Sequence, residues 1–278
     1  MLAGIGLFGL LDANSKLLSA EYGVWQVQLV RFATILSGVA LLRAVRPGWG
    51  GPLSTRFPRL QAARAVVMLG SATFFFLAFS RLPLAEGYLV FFTSPFIVLV
   101  FSALFLREPP PAAAWVWCGV GFAGVAVGLA PSLLSGGTGA PLMGYVFALC
   151  GTLCYSAVFV LNRSLRHEGG IARVLVWPAL LGLAVMLPLG LADWRAPSAF
   201  ALGQMVVNGF IVAAATVCLA EAFRHAAASR LAPFGYSGLV WSLAFDLGIW
   251  GHAPGGAMLA GAAVVIFACV MSERAARR

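Results

Sequence analysis

The sequence predicts an all-α integral membrane protein with ten transmembrane helices, arranged as two inverted five-helix repeats. Three observations carry that prediction. The 278 residues are 61% hydrophobic and 10% charged, with a mean hydropathy of +0.95. A soluble domain is about a quarter charged, and a soluble chain of this size keeps too much surface in water to hide so much apolar sequence. The basic residues show a strong sidedness, and one half of the chain resembles the other. A β-barrel is excluded because the apolar residues come in long runs and not in alternation.

A helix needs about 20 apolar residues to cross the hydrocarbon core. That window places spans at 2–19, 24–44, 61–80, 84–106, 112–131, 142–162, 172–191, 202–223, 230–250 and 256–272. The first is apolar except for its centre, LLDANSKLL (10–18), which holds Asp12 and the chain's single lysine, Lys16. The second carries Gln28 and Arg31. The longest loop (45–60) is rich in Pro, Gly and Arg and leaves no room for a soluble domain. Span 4 is interrupted by Pro95, and span 9 by Pro233, Gly235 and Gly238. Span 5 contains Gly124 and Gly128 at GxxxG spacing, which lets helices approach closely; packing within the chain is favoured over dimerisation, and a monomer over a dimer.

With the N-terminus cytoplasmic, the inner loops and tail hold Arg43, Arg46, Arg56, Arg59, Arg64, Arg107, Arg163, Arg166, Arg173, Arg224, Arg230, Arg274, Arg277 and Arg278. The outer loops hold Arg81 and Arg195, and Lys16 and Arg31 remain inside spans. Positively charged loops stay on the cytoplasmic side, so both termini are expected there, in a bacterial inner membrane. The net charge of +9 is thereby a topology signal and not a nucleic-acid footprint. The five cysteines all lie in apolar runs without zinc-like spacing and read as packing residues. No metal, cofactor or cleavable signal peptide is expected; the first run starts without a basic n-region.

Residues 78–110 align without a gap on 222–254, a shift of 144. Identities include Ala78/Ala222, Phe79/Phe223, Leu99/Leu243, Phe101/Phe245 and Pro110/Pro254; Phe92/Tyr236 and Thr93/Ser237 keep their character. Span 4 thus matches span 9. Five spans separate the mates, and five is odd, so the halves (1–135 and 136–278) must be oppositely oriented. Inverted repeats of this kind build alternating-access transporters, with the solute site near the midplane between halves.

The run LPLAEGYLVFFTSPFIVLVFSALFLREPP (82–110) resembles the fourth span and following turn of EamA-type members of the drug/metabolite transporter superfamily. Lys16 and Arg31 fall where that family often places a basic residue in its first two spans. The turn departs from the family's Gly-Glu, reading Arg107-Glu108 and Gly251-His252. The resemblance covers essentially the whole chain. It implies export of amino acids, aromatic or neutral ones included, or related small metabolites; a broad drug exporter or a nucleoside-like metabolite transporter stays open beside it.

Candidate solute contacts line spans 1, 3, 4, 6, 8 and 9. Asp12 and Lys16 are four residues apart, share a helix face and are expected to form an ion pair, either cavity-facing or locking spans 1 and 2. Asp246 has no obvious partner and shares with Asp12 the candidacy for proton coupling; Glu86 and Glu221 read as helix-end carboxylates, Glu86 close to Arg81. Phe75, Phe79, Tyr88, Tyr155, Tyr236 and Trp241 offer an aromatic wall, and Asn208 is either cavity-lining or an interhelical hydrogen bond. Pro95, Pro233, Gly235 and Gly238 are hinge candidates. GYSG (235–238) matches a rhomboid-type intramembrane serine protease. That chemistry needs a histidine base within hydrogen-bond reach, and His252 lies about 21 Å along the helix from Ser237, with His167 and His225 in inner loops. No catalytic residue is expected.

Overall fold

The computed structural model describes residues 2–105, 112–134, 140–165, 168, 170–225 and 237–276, and every element among them is helical. Eleven helices follow in order: α1 Leu2–Leu18, α2 Val24–Val45, α3 Pro58–Phe79, α4 Leu84–Phe91, α5 Ser94–Phe105, α6 Ala112–Leu134, α7 Ala140–Ser164, α8 Ile171–Ala192, α9 Ala199–His225, α10 Ser237–Trp250 and α11 Gly256–Ala276. Six described segments are long and apolar enough to cross a membrane: Val24–Val45, Pro58–Phe79, Leu84–Phe105, Leu142–Asn162, Ile171–Ala192 and Ala199–Cys218. Three shorter apolar helices, Trp115–Pro131, Ser237–Trp250 and Gly256–Ser272, stand beside them.

Polarity is distributed inside out, as a bilayer demands. Leu41, Val66, Leu134, Phe200 and Phe267 are exposed, whereas Gln26, Gln28, Arg31, Gln61, Arg64, Asn208 and Asp246 are buried. In lipid every polar group must find its partner within the protein. Arg64 and Arg173, counted with the inner loops in the sequence, lie inside α3 and α8 and are 4% and 5% exposed.

Helix pairs form the bundle: α6 with α11, α3 with α7, α2 with α8, and α1 with α9; α10 packs on α1 and α4, and α7 on α4 and α5. The α6–α11 contact is backbone on backbone. A Cβ on Gly261 would stand 2.5 Å from the Gly124 carbonyl oxygen and 2.6 Å from the Gly128 Cα, so the GxxxG pair of α6 serves packing within the chain. The α2–α8 contact is an apolar seam of Leu29, Phe32, Ile35 and Val39 against Leu175, Ala179 and Met186.

Span 4 divides into α4 and α5 at Phe92–Thr93. Pro95 has no N–H to return to the Phe91 carbonyl and would crowd it. Thr93 donates both its N–H (3.0 Å) and its hydroxyl (2.8 Å) to the Val90 carbonyl. The Ser156 hydroxyl of α7 donates to the Thr152 carbonyl at 2.8 Å and lies 3.4 Å from the Ser94 carbonyl. Shifted by 144 residues, Thr93 falls on Ser237, the first residue of α10. The hinge candidates Pro233 and Gly235 and the contact candidate Tyr236 lie outside the described residues, as do the side chains of Pro95 and Glu221.

Candidate functional site

Asp12 does not pair with Lys16. Nearly three turns into α1 its carboxylate meets α4, where the Tyr88 hydroxyl donates to Oδ2 at 2.8 Å. That is the single hydrogen bond of the Asp12 carboxylate among the described residues, and Oδ1 is left without a donor. Arg31 of α2 is its electrostatic counter-charge. Arg31 itself is buried and donates through Nη2 to the Ser15 hydroxyl at 2.8 Å.

Aromatic rings surround this carboxylate. Tyr88 stacks on Phe79 (centroids 5.7 Å apart), and Phe79 on Phe75 (5.8 Å). Phe91 meets Phe75 at 5.7 Å, Tyr88 at 6.0 Å and Tyr155 at 4.9 Å. Helices α3, α4 and α7 thus build one continuous aromatic wall with Asp12 of α1 at its edge. Four of the sequence candidates, Phe75, Phe79, Tyr88 and Tyr155, come together here. Phe91 was missed, although it lies three residues from Tyr88 on one face of α4. Gly238 is packed beneath the wall, where a Cβ would stand 3.0 Å from the Tyr88 ring.

Trp241 is not part of the wall. It stacks on Phe245 at 6.1 Å, over Gly6 and Gly9 of α1, and is 39% exposed. Asn208 supplies an interhelical hydrogen bond: it is fully buried, donates to the Ser15 hydroxyl at 3.2 Å and accepts from Asn14 Nδ2 at 2.9 Å. Ser15 therefore accepts from Arg31 and Asn208 while donating to the Leu11 carbonyl (2.6 Å), which ties α1, α2 and α9 into a polar knot. On the far face of α1, a groove of about 510 Å³ is lined by Leu10, Leu17, Phe200, Val207 and Ile249; its apolar lining suits lipid.

Lys16 finds its partner across the bundle. Its ammonium donates to the Leu82 carbonyl at 2.8 Å, lies 3.7 Å from Asp246 Oδ1 and sits 4.6 Å over the Trp250 ring. Asp246, 1% exposed, accepts the backbone N–H groups of Leu84 (3.1 Å) and Ala85 (2.8 Å). These are unsatisfied donors of the first turn of α4, the positive end of that helix. Asp246 is thus a helix cap and counter-ion, and its carboxylate is taken up by three partners, which removes the openness assumed for it in the sequence. Glu86 accepts from the Tyr145 hydroxyl of α7, while Arg81 donates to Leu77 and Ser80.

At the opposite ends of the helices, Glu168 ties the α2–α3 loop to α8. Its carboxylate accepts from the Thr55 hydroxyl (2.5 Å), Gln61 Nε2 (2.9 Å) and the Arg56 N–H (2.5 Å), with Arg173 Nη1 at 3.4 Å. The Thr55 hydroxyl first, then Gln61, the Arg56 N–H and Arg173, hold this carboxyl down from 4.5 to about 2 against the opposing push of burial. On the other side, Gln26 exchanges two hydrogen bonds with the Arg195 backbone (2.7 and 3.0 Å). Among the described residues no group of His, Cys, Asp and Glu could hold a metal ion.

No family model matches the chain. It is 26% identical to the pseudopaline exporter CntI of Pseudomonas aeruginosa, over 96% of this chain and 92% of that one. It is likewise 26% identical to the S-adenosylmethionine uptake transporter of Rickettsia felis, over 95% and 90% of the two chains. A riboflavin transporter of Vibrio cholerae is 26% identical over 66% of this chain and 60% of its own length. A crystal structure at 19% identity superimposes with a TM-score of 0.69 over 99% of this chain and 97% of that one, and so shares its fold. These relatives are transporters and not enzymes, and the chain is a multi-pass small-molecule transporter.

Proposed function

We propose that this transporter works by alternating access, with ten spans in two inverted halves (1–135 and 136–278), and exports an amino acid or related metabolite across a bacterial inner membrane. The observation that carries the reading is the Asp12 carboxylate: held on one oxygen by Tyr88, open on the other, and set against an aromatic wall. An intramembrane carboxylate with one oxygen uncommitted, balanced by Arg31 but not bonded to it, is a candidate for a solute or ion path. A cationic amino group suits the free oxygen, and an apolar or aromatic body suits the rings. The ion pair expected between Asp12 and Lys16 would count against a cationic cargo, because Lys16 would already occupy the carboxylate. Lys16 is committed to Asp246, so that objection is gone, and a cationic or zwitterionic solute fits. Among the relatives one exports and others take up their cargo, so direction rests on the resemblance to exporters alone.

The helix contacts support two inverted halves. Exchange spans 1–5 with spans 6–10, and the α1–α9 contact becomes α7–α3, α2–α9 becomes α8–α3, and α1–α10 becomes α7 on the span made by α4 and α5. The pairs α2–α8, α6–α11 and α4–α10 map onto themselves. The loop ties obey the same exchange: Gln26 with Arg195 at one membrane surface answers Glu168 with Thr55 and Arg56 at the other. With cytoplasmic termini, the Lys16–Asp246 cap lies at the outer end and closes α1, α4 and α10 there. Opening outward then requires that cap to part.

The test reconstitutes the full chain in liposomes and follows counterflow of labelled amino acids, aromatic and neutral ones included, with and without a pH gradient. Counterflow that is present in the wild type and at least tenfold slower in Asp12→Asn supports the reading. Absence of counterflow for every amino acid would remove the solute assignment, and unchanged flux in Asp12→Asn would remove the site.

A further inference from the structure

Between α3, α7 and α8 lies a charge imbalance outside the aromatic wall and its Asp12 carboxylate, together the proposed solute chamber. Arg64 and Arg173 are both buried, and the described carboxylate beside them is Glu168. Both oxygens of Glu168 are occupied by Thr55, Gln61 and the Arg56 N–H, with Arg173 at 3.4 Å. Arg64 receives much less. Its Nη1 reaches Asn162 Oδ1 at 3.4 Å, the long limit of a hydrogen bond. Among the described residues its Nε and Nη2, both buried, have no partner, and neither has Gln61 Oε1.

Nε and Nη2 form one edge of the guanidinium, with two N–H groups pointing the same way. That edge matches the two oxygens of a carboxylate or phosphate. A buried charge stripped of water and left without a partner is strongly unfavourable, so this edge is built for a group that arrives. Its place on α3 connects it to the chamber. Residues 64, 68, 71 and 75 follow at steps of four, three and four and share one helix face. Arg64 is therefore on the face of Phe75, about 16 Å along the axis at 1.5 Å per residue, and away from the Lys16–Asp246 cap.

We infer that Arg64 is an oxyanion-binding residue on the inner approach to the chamber, taking the carboxylate or phosphate group of the solute through its Nε–Nη2 edge. Gln61 stands beside it, and Glu168 holds Arg173 away from the anion. The inference rests on the chamber being the solute site. A zwitterion then meets Arg64 with its anionic end and Asp12 with its cationic end at successive stages of one path.

The experiment uses the full chain in nanodiscs of phosphatidylcholine and reads thermal unfolding by tryptophan fluorescence. Inorganic phosphate and acetate are the probes, against chloride at equal ionic strength. The expected result is a wild-type Tm raised by several degrees with phosphate, a shift abolished in Arg64→Gln and reduced in Arg64→Lys. Without the probe anion, Arg64→Gln unfolds at or above the wild-type Tm, because an uncompensated charge has been removed. A lower Tm for Arg64→Gln, or failure of that variant to fold, marks a structural counter-ion of Glu168 and overturns the inference; so does a phosphate shift that survives the substitution. A stabilisation seen only when phosphatidylglycerol is added to the discs assigns the edge to a lipid headgroup and likewise overturns it. Asp12→Asn keeps the phosphate shift, so the chamber and the anion site fail independently.

Discussion

Lys16 and Asp246 lie 3.7 Å apart between α1 and α10, and neither is satisfied by the other alone. The ammonium also holds the Leu82 carbonyl, and the carboxylate also holds two N–H groups of α4. The pair therefore joins three helices through one carboxylate.

Removing that carboxylate strands Lys16 and two backbone donors together. Asp246→Ala is expected to destabilise the protein by about 3–5 kcal/mol, the cost of breaking one partner out of a buried pair. Lys16→Met added to Asp246→Ala restores part of the loss, because it removes the uncompensated ammonium. Thermal unfolding of the two single variants and the double variant closes the cycle; a double variant no more stable than Asp246→Ala would deny the coupling.

Tyr88→Phe deletes the hydroxyl that holds Asp12 and keeps the ring in the wall. The expected outcome is a rise in the solute concentration for half-maximal flux of roughly tenfold or more, from about 1.5–3 kcal/mol for a hydrogen bond to a charged group. Unfolding is expected to shift as well, since Oδ2 loses its donor. Flux measured over a solute titration separates this from a general loss of activity.

The glycine contact between α6 and α11 is testable with an internal control. Gly261→Ala puts a methyl 2.5 Å from the Gly124 carbonyl and is expected to cost about 1–3 kcal/mol by overpacking. Gly119→Ala, where nothing lies within 4 Å, is expected to be neutral or to stabilise by about 0.5–1 kcal/mol through helix propensity. Equal Tm changes in the two variants would contradict the packing.

The Glu168 carboxyl is held at about 2, below its ordinary 4.5. Its folded value lies below its unfolded one, so its contribution to stability is complete above about pH 4.5 and is lost as pH falls toward 2. Glu168→Gln is expected to flatten this acid limb and to lower stability at pH 7. A pH series of unfolding midpoints for the wild type and Glu168→Gln checks both.

Hydropathy made the helices legible because lipid imposes an apolar length that no tertiary contact can override. The aromatic wall was legible for a similar reason: Phe75, Phe79, Tyr88 and Tyr155 are amphipathic or large residues at internal depth. Partner choice was not. Asp12 and Lys16 share a face by spacing, yet the carboxylate that pairs with Lys16 stands 230 positions on, in α10, where only folding brings Asp246. Arg64 was hidden by the same rule from which the topology was read. A guanidinium one turn into a helix scores as a loop charge, and only burial with an empty edge sets it apart.

The backbone contact of Gly261 with Gly124 and Gly128 has a mechanical consequence. Where two helices meet through interleaved side chains, rotamer changes let one slide along the other. Here the main chains meet directly at Gly261, with Val264 over Gly124 beside them, so α6 and α11 have little room to shift against each other at this level. If the proposed halves rock against each other, this close contact favours a pivot at α6 and α11, and leaves the larger movement to α1, α4 and α10, which are joined at one end by a single carboxylate.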